Sequence, residues 1–114
     1  MRQLTFNYNW NNKLRNTCFS TIRIWQPDKY VLNEHYSVYL KQYWLGTAEL
    51  VMARDFTFVY LTQGMALLDT GYTKTEVQGI LRKMYEKYLR QYGNSAMFGF
   101  YIFKYQQAEQ KRIL

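Results

Sequence analysis

Cysteine occurs once, at Cys18, and histidine once, at His35. A single thiol excludes an internal disulfide framework and points to a reducing compartment, the cytoplasm of a bacterium or of a phage-infected host. One Cys and one His without ligand spacing predict no metal site, and nothing suggests another cofactor. Proline occurs once and glycine six times in 114 residues, which excludes collagen-like and proline-rich linker classes. No run approaches the roughly 18 apolar residues of a membrane helix. Met1 to Trp10 lacks the apolar run of a secretory leader. Acidic residues are also scarce, 8 against 15 basic ones.

The resulting net charge of +7 is unevenly spread. Residues 1–29 carry +4, residues 30–76 carry −2 and residues 77–114 carry +5. Basic ends attract polyanions, of which nucleic acid is the usual one. A merely soluble surface is the alternative, since a net charge of ~2–8 is ordinary for a small domain. Aromatic residues are abundant: 12 Tyr, 7 Phe and 3 Trp. Rings left at the surface beside Arg and Lys would stack unpaired bases. Rings packed inside would fill a compact β-core, with Tyr hydroxyls reaching water.

The apolar fraction of 48% is that of one globular domain. We place the domain at residues 1–105, followed by a polar tail over 106–114. The Asn-rich start favours turns, and residues 9–15 read as one or two helical turns stopped by a left-handed Asn16. Residues 18–25 are β-branched and aromatic and predict a strand. Its small and apolar set, Cys18, Ser20, Ile22 and Ile24, is expected to face the core. Thr21 and Arg23 then lie on the more open face. Residues 35–43 alternate and predict a second strand, with a turn or bulge at Trp44 to Gly46. Residues 46–59 predict a longer, bent strand with Ala48, Leu50 and Met52 on one face. A short helix over 62–68 follows. Thr73 and Glu76 form a capping-box pattern. Val77, Ile80, Leu81, Met84, Tyr85, Tyr88 and Leu89 then keep helical period, predicting one long helix over Thr73 to Tyr92. Residues 97–105 predict an aromatic closing strand. This mixture points to an α+β fold, a small mixed barrel with flanking helices.

Several of these segments in order resemble a known family. They are Ser20-Thr21-Ile22-Arg23 after a short helix, Asn33 to Val38, and Gly46 to Val51. Ala66 to Gly71, the helix from Thr73 to Tyr88 and the Phe103-Lys104 strand complete the series. The chain resembles the ASCH domain, of the PUA-like superfamily, over about residues 4 to 105. The resemblance implies a pseudo-barrel with helices at its openings. It implies a cleft between the segment around Thr21 and the one near Asp69, and binding of RNA or modified bases. Some members resemble hydrolases that remove an acetyl group from the exocyclic amine of cytidine. In that pattern a Lys stands three residues before the motif Thr, and here the position is Cys18. The acidic position falls at Asp69 or Thr70. Lys13, Arg15 and Arg23 are the candidates to supply the missing charge.

The candidate residues divide by chemistry. Thr21 and Asp69 are the catalytic candidates. Arg15, Thr21, Arg23, Lys41, Arg82, Lys83, Lys87 and Arg90 are the candidates for nucleic-acid contact, joined by Lys104, Lys111 and Arg112. Arg23 offers a phosphate a bidentate partner, or else forms a buried ion pair with Asp69 or Glu49. Cys18 reads as a small core residue rather than a nucleophile paired with His35. Asp69 also fits an ordinary turn before a helix cap, and Arg54-Asp55 a surface ion pair. The expected function is a binding domain for RNA or another single strand, using a cleft near Thr21 and Arg23 with a basic rim. The rivals are an amidohydrolase acting on acetylated cytidine, and a protein-interaction module of phage or bacterial origin, such as an inhibitor of a host nuclease complex.

Overall fold

The computed structural model describes residues 1–106. Five strands form one mixed sheet: β1 (Arg2–Phe6), β2 (Cys18–Ile24), β3 (His35–Leu40), β4 (Tyr43–Thr57) and β5 (Met97–Tyr105). Three α-helices lie between the last two strands: α1 (Gln63–Thr70), α2 (Lys74–Met84) and α3 (Glu86–Tyr92). Among the described residues no helix is long and apolar enough to cross a membrane. The strand order is β1-β3-β4-β5-β2, with β1 parallel to β3 and every other pairing antiparallel. The fold is α+β, a curled half-barrel with three helices. The expected barrel therefore has an open seam, because no backbone ladder among the described residues joins β1 to β2.

Two cores use opposite faces of the sheet. Leu4, Phe6, Phe19, Tyr36, Val38, Leu50 and Phe103 fill the inside of the curl. Ile22, Phe56, Leu61, Val77, Leu81, Phe98 and Phe100 pack the other face against the helices. β5 serves both, since alternate residues of a strand point to opposite sides. Tyr101 and Phe103 go inward, Phe98 and Phe100 toward the helices. Ring packing against ring accounts for much of this density: Phe19 stacks on Phe103 at 5.6 Å, and Tyr36 meets Phe103 edge-on at 5.3 Å.

β2 shows why one face of a strand need not have one environment. Ile22 is buried under the helices, but Cys18, on the same face, is exposed because the helices do not reach that end. The expectation of a core cysteine is thus corrected. Cys18, Lys104, Glu49 and His35 are successive partners across the sheet. Cys18 and His35 are three strand spacings apart, ~14 Å, too far to pair.

Other expectations shift for local reasons. No local pattern predicts β1: its five residues hold two buried positions, Leu4 and Phe6, and depend on pairing with β3. The β3–β4 hairpin turns at Lys41, which adopts a positive φ of 56°. The bulge expected near Trp44 to Gly46 is present, as the register shifts by one residue at Val38/Tyr39. A second shift, between Leu50 and Met52, rotates β4, so Met52 is exposed while Ala53 packs on the inner core. The irregularity in pairing falls there, and the register with β5 runs on unbroken through Arg54-Asp55. Those two residues are adjacent on a strand and point to opposite faces, and no ion pair joins them among the described residues.

The long helix is in fact two. Tyr85 leaves helical geometry (φ −122°, ψ 41°) between α2 and α3. The jog lets Tyr85 and Tyr88 both pack edge-on against Phe98, at 5.6 and 5.7 Å. The Tyr88 hydroxyl also donates to the Met97 carbonyl at 2.8 Å and accepts from its N–H at 3.1 Å, pinning α3 to the start of β5. The capping box forms as expected: Thr73 accepts from the Glu76 N–H, and Glu76 accepts from the Thr73 N–H. The Glu76 carboxyl is held below its usual range by the hydrogen bonds it accepts, from the Thr73 N–H foremost and from the Thr73 hydroxyl. The polar tail beyond residue 106, with Lys111 and Arg112, lies outside the described residues.

Candidate functional site

The site begins with the asparagines. Trp10–Arg15 form a 3-10 turn interrupted by Asn11 and Asn12, both at positive φ (57° and 54°), a conformation that Asn tolerates better than most residues. Asn16 is extended and not left-handed, which corrects the expected stop. The Asn9 side chain accepts from the Leu14 N–H at 2.9 Å and donates to the Asn12 side chain at 3.1 Å. This compact loop turns Lys13 and Leu14 inward, and both are buried. Across from it, α1 ends at Gly71, whose φ of +80° suits glycine. The Asn11 side chain packs there: a Cβ on Gly71 would lie 3.3 Å from the Asn11 Oδ1.

These two loops bring Lys13 to Asp69. Lys13 Nζ lies 2.7 Å from Asp69 Oδ1, with about 5% of the lysine side chain and 7% of the aspartate exposed. The same oxygen accepts from the Ser20 hydroxyl at 2.8 Å. Asp69 is therefore a buried ion-pair residue in the last turn of α1, not a turn residue. Burial pulls the Lys13 ammonium below the ordinary lysine range. The Asp69 charge and hydrogen bond oppose the shift, and Arg23 adds slightly to it. Of Lys13, Arg15 and Arg23, Lys13 is the one that meets Asp69. Arg15 is exposed at the end of its turn.

Arg23 has a different partner from those expected. It pairs with neither Asp69 nor Glu49. Its Nε donates to the Thr21 hydroxyl at 3.1 Å and one terminal nitrogen donates to the Thr5 carbonyl at 2.8 Å. Its guanidinium lies over the Phe6 ring, 4.7 Å from the centroid. Arg23 thus ties β2 to β1 across the open seam. It uses two of its five N–H groups to do so.

Together these residues line a cleft of about 410 Å3 at the seam. Lys13, Asp69, Thr21 and Arg23 supply its polar part; Val77, Ile80, Leu81 and Met84 of α2 form an apolar wall. Tyr8 and Trp10 complete it. Tyr8 meets Trp10 at 4.7 Å and Trp10 meets Tyr72 at 5.9 Å, both edge-on. Tyr8, in the cleft, is 60% exposed and Tyr72, beyond Trp10, is 43% exposed, so ring surface is open on both sides of Trp10. Most rings build the two cores, and others, Tyr8 and Tyr72 among them, remain at the surface.

The outer cations scatter. Lys83 borders a groove next to the cleft, with Trp10 and Tyr72. Arg82 and Arg90 instead line a separate hollow of about 320 Å3. There Arg82 lies over Phe58 at 5.1 Å and Arg90 pairs with Glu86. Lys87 is exposed on α3, Lys104 on β5 and Lys41 at the β3–β4 turn. The Lys41 N–H donates to the Phe6 carbonyl at 2.7 Å, so that turn adjoins the end of β1. Among the described residues no three metal-binding side chains gather. Sequence reasoning missed the aromatic trio, because Tyr8, Trp10 and Tyr72 come from two segments about sixty positions apart. Comparison of the chain with protein-family models, with curated proteins and with solved structures gives no match.

Proposed function

We propose that the domain binds single-stranded nucleic acid, RNA foremost, with one base in the cleft and a phosphate against Arg23. The observation that carries this reading is the position of Arg23. It is fixed by Phe6, Thr5 and Thr21 at the edge of a cleft that also presents open aromatic rings. A pre-oriented guanidinium with unused donors suits a phosphate or a base edge. Because the Thr21 oxygen accepts from Arg23, its own hydrogen is left to donate to a base carbonyl. Exposed rings beside cations are the usual platform for unpaired bases. The resemblance to ASCH and PUA-like domains supports the same ligand class.

The test is fluorescence anisotropy with a labelled single-stranded RNA. Arg23→Gln removes a charged contact, and a charge-assisted hydrogen bond of ~1.5–3 kcal/mol corresponds to roughly 10- to 150-fold in affinity. Lys83→Glu with Lys87→Glu lowers affinity and flattens its dependence on salt. A wild type that does not bind at about 50 mM salt refutes the reading.

Hydrolysis of acetylated cytidine is the second reading, and one observation favours it. Cys18 stands where the resemblance expects a lysine, yet Lys13 reaches Asp69 in the cleft that Thr21 lines. Attack by Thr21 on the acetyl carbonyl would give an acetyl-threonine and release the cytosine amine, and water would then free acetate. Wild-type turnover that is lost in Thr21→Ala, with the circular dichroism spectrum of the fold retained, establishes this reading; absence of turnover in the wild type removes it.

A further inference from the structure

A shallow groove of about 500 Å3 adjoins the cleft, lined by Trp10, Tyr72, Glu76, Gly79, Ile80 and Lys83. Trp10 and Ile80 line both, so the two depressions are immediate neighbours. We infer that this groove is a second nucleotide subsite, in which the base next to the one in the cleft stacks on Tyr72 and Trp10 while Lys83 meets the connecting phosphate. The inference rests on the nucleic-acid reading of the cleft.

Gly79 is an independent observation in its favour. It sits in the middle of α2, where glycine weakens a helix relative to alanine because it loses more backbone freedom on folding. Packing does not require it: a Cβ built there meets nothing within 4 Å. Its φ is not in the left-handed region. A residue that weakens its helix and spares no neighbour a clash is accounted for if a ligand passes over it. A flat base lying on the helix surface needs that clearance.

The platform is also held in place. Tyr72 follows Gly71, against which Asn11 packs, and its N–H donates to the Thr70 hydroxyl at 3.0 Å. Trp10 is fixed between Tyr8 and Tyr72. The one acid in the groove, Glu76, is occupied by the Thr73 N–H and hydroxyl at 3.1 and 2.9 Å. Lys83 is exposed and makes no ion pair among the described residues. The groove thus offers an aromatic face and a free cation, the pairing that a stacked nucleotide and its phosphate require.

The experiment compares a single-stranded RNA octamer with nucleoside monophosphates, by anisotropy and competition, on the wild type, Tyr72→Ala, Gly79→Leu and Arg23→Gln. Loss of one stacked base predicts octamer binding roughly 5- to 150-fold weaker in Tyr72→Ala and in Gly79→Leu. Competition by monophosphates, which occupy the cleft alone, stays unchanged in those two variants and falls in Arg23→Gln. Gly79→Ala serves as the folding control and raises the melting temperature by roughly 2–8 °C. If the octamer binds in an Arg23-dependent way but Tyr72→Ala and Gly79→Leu match the wild type within twofold, the second subsite is refuted and the cleft reading stands. If the wild type does not bind the octamer at all, both fall.

Discussion

Asp69→Asn isolates the charge at the base of the cleft. Asparagine keeps the shape and one acceptor oxygen but leaves the Lys13 ammonium buried with no counter-charge. Lys13 is 4% and Asp69 5% exposed, and the pair is closed at 2.7 Å, so water does not substitute for the lost carboxylate. Breaking a buried pair from one side costs about 3–5 kcal/mol. Domains of this size have total stabilities of ~5–15 kcal/mol. The melting temperature should therefore fall by roughly 12–40 °C. The loss also depends on pH. Burial already holds Lys13 below the ordinary lysine range, and removing Asp69 removes the interactions that opposed that shift. Between the lowered folded value and the unfolded value near ~10.4, the unfolded chain binds more protons than the folded one, so stability rises with pH. Urea unfolding followed by circular dichroism from pH 7 to 9.5 should show the variant regaining stability more steeply than the wild type. The triple variant Lys13→Met, Asp69→Leu, Ser20→Ala, which removes every polar member, should recover most of the loss. A cost under ~1 kcal/mol at pH 7, or no relative gain toward pH 9.5, would refute the account of Lys13 as a buried cation neutralised by Asp69.

Two further perturbations test the packing of the inner core. A Cβ on Gly99 would lie 2.4 Å from the Cζ and hydroxyl of Tyr101, whose ring is stacked on Trp25 and packed against Tyr30. Gly99→Ala should destabilise by about 1–3 kcal/mol in denaturant titration, as overpacked cores do. The Tyr101 hydroxyl is buried without a well-formed hydrogen bond. Loss of solvent pushes it up to about 12, with the Gln26 backbone opposing only in part. A raised folded value means that this group's contribution is present below about pH 10 and is lost as pH rises toward 12. Tyr101→Phe should thus be as stable as the wild type at neutral pH, or more so, and resist alkaline unfolding better; equal alkaline midpoints would contradict this.

What the sequence discloses here is local. The Thr73–Glu76 capping box, the α1 stop at Gly71 and the strand at residues 97–105 are each decided by residues within a few positions of one another. β1 escapes such reading because RQLTF pairs with a strand more than thirty residues away. The exposure of Cys18 depends on where the helices end, which no strand pattern contains. The single helix expected over Thr73 to Tyr92 breaks because Phe98, on β5, engages both Tyr85 and Tyr88. In the site, Thr21 and Arg23 stand out as polar residues on a hydrophobic strand, and Asp69 as an acid just before the Gly71 break. The Lys13–Asp69 contact spans 56 positions and has no local signature. The aromatic trio is equally non-local, and the basic run on α2 and α3 scatters, with Arg82 and Arg90 at one hollow, Lys83 at another and Lys87 at neither, because successive residues of a helix point in different directions.

The seam between β1 and β2 has a mechanical meaning. Widening any other pair of neighbouring strands would rupture a row of amide hydrogen bonds. Widening this one breaks the Arg23–Thr5 bond and separates Phe6 from Phe19, which touch edge-on at 5.8 Å. A single charged hydrogen bond is worth about 1.5–3 kcal/mol. The seam is thus the one line of the half-barrel held by side chains alone, while four backbone ladders hold the rest of the sheet. A phosphate held by the unused donors of Arg23, as proposed, would leave the Thr5 bond in place, so ligand and both edges of the half-barrel would meet at one side chain.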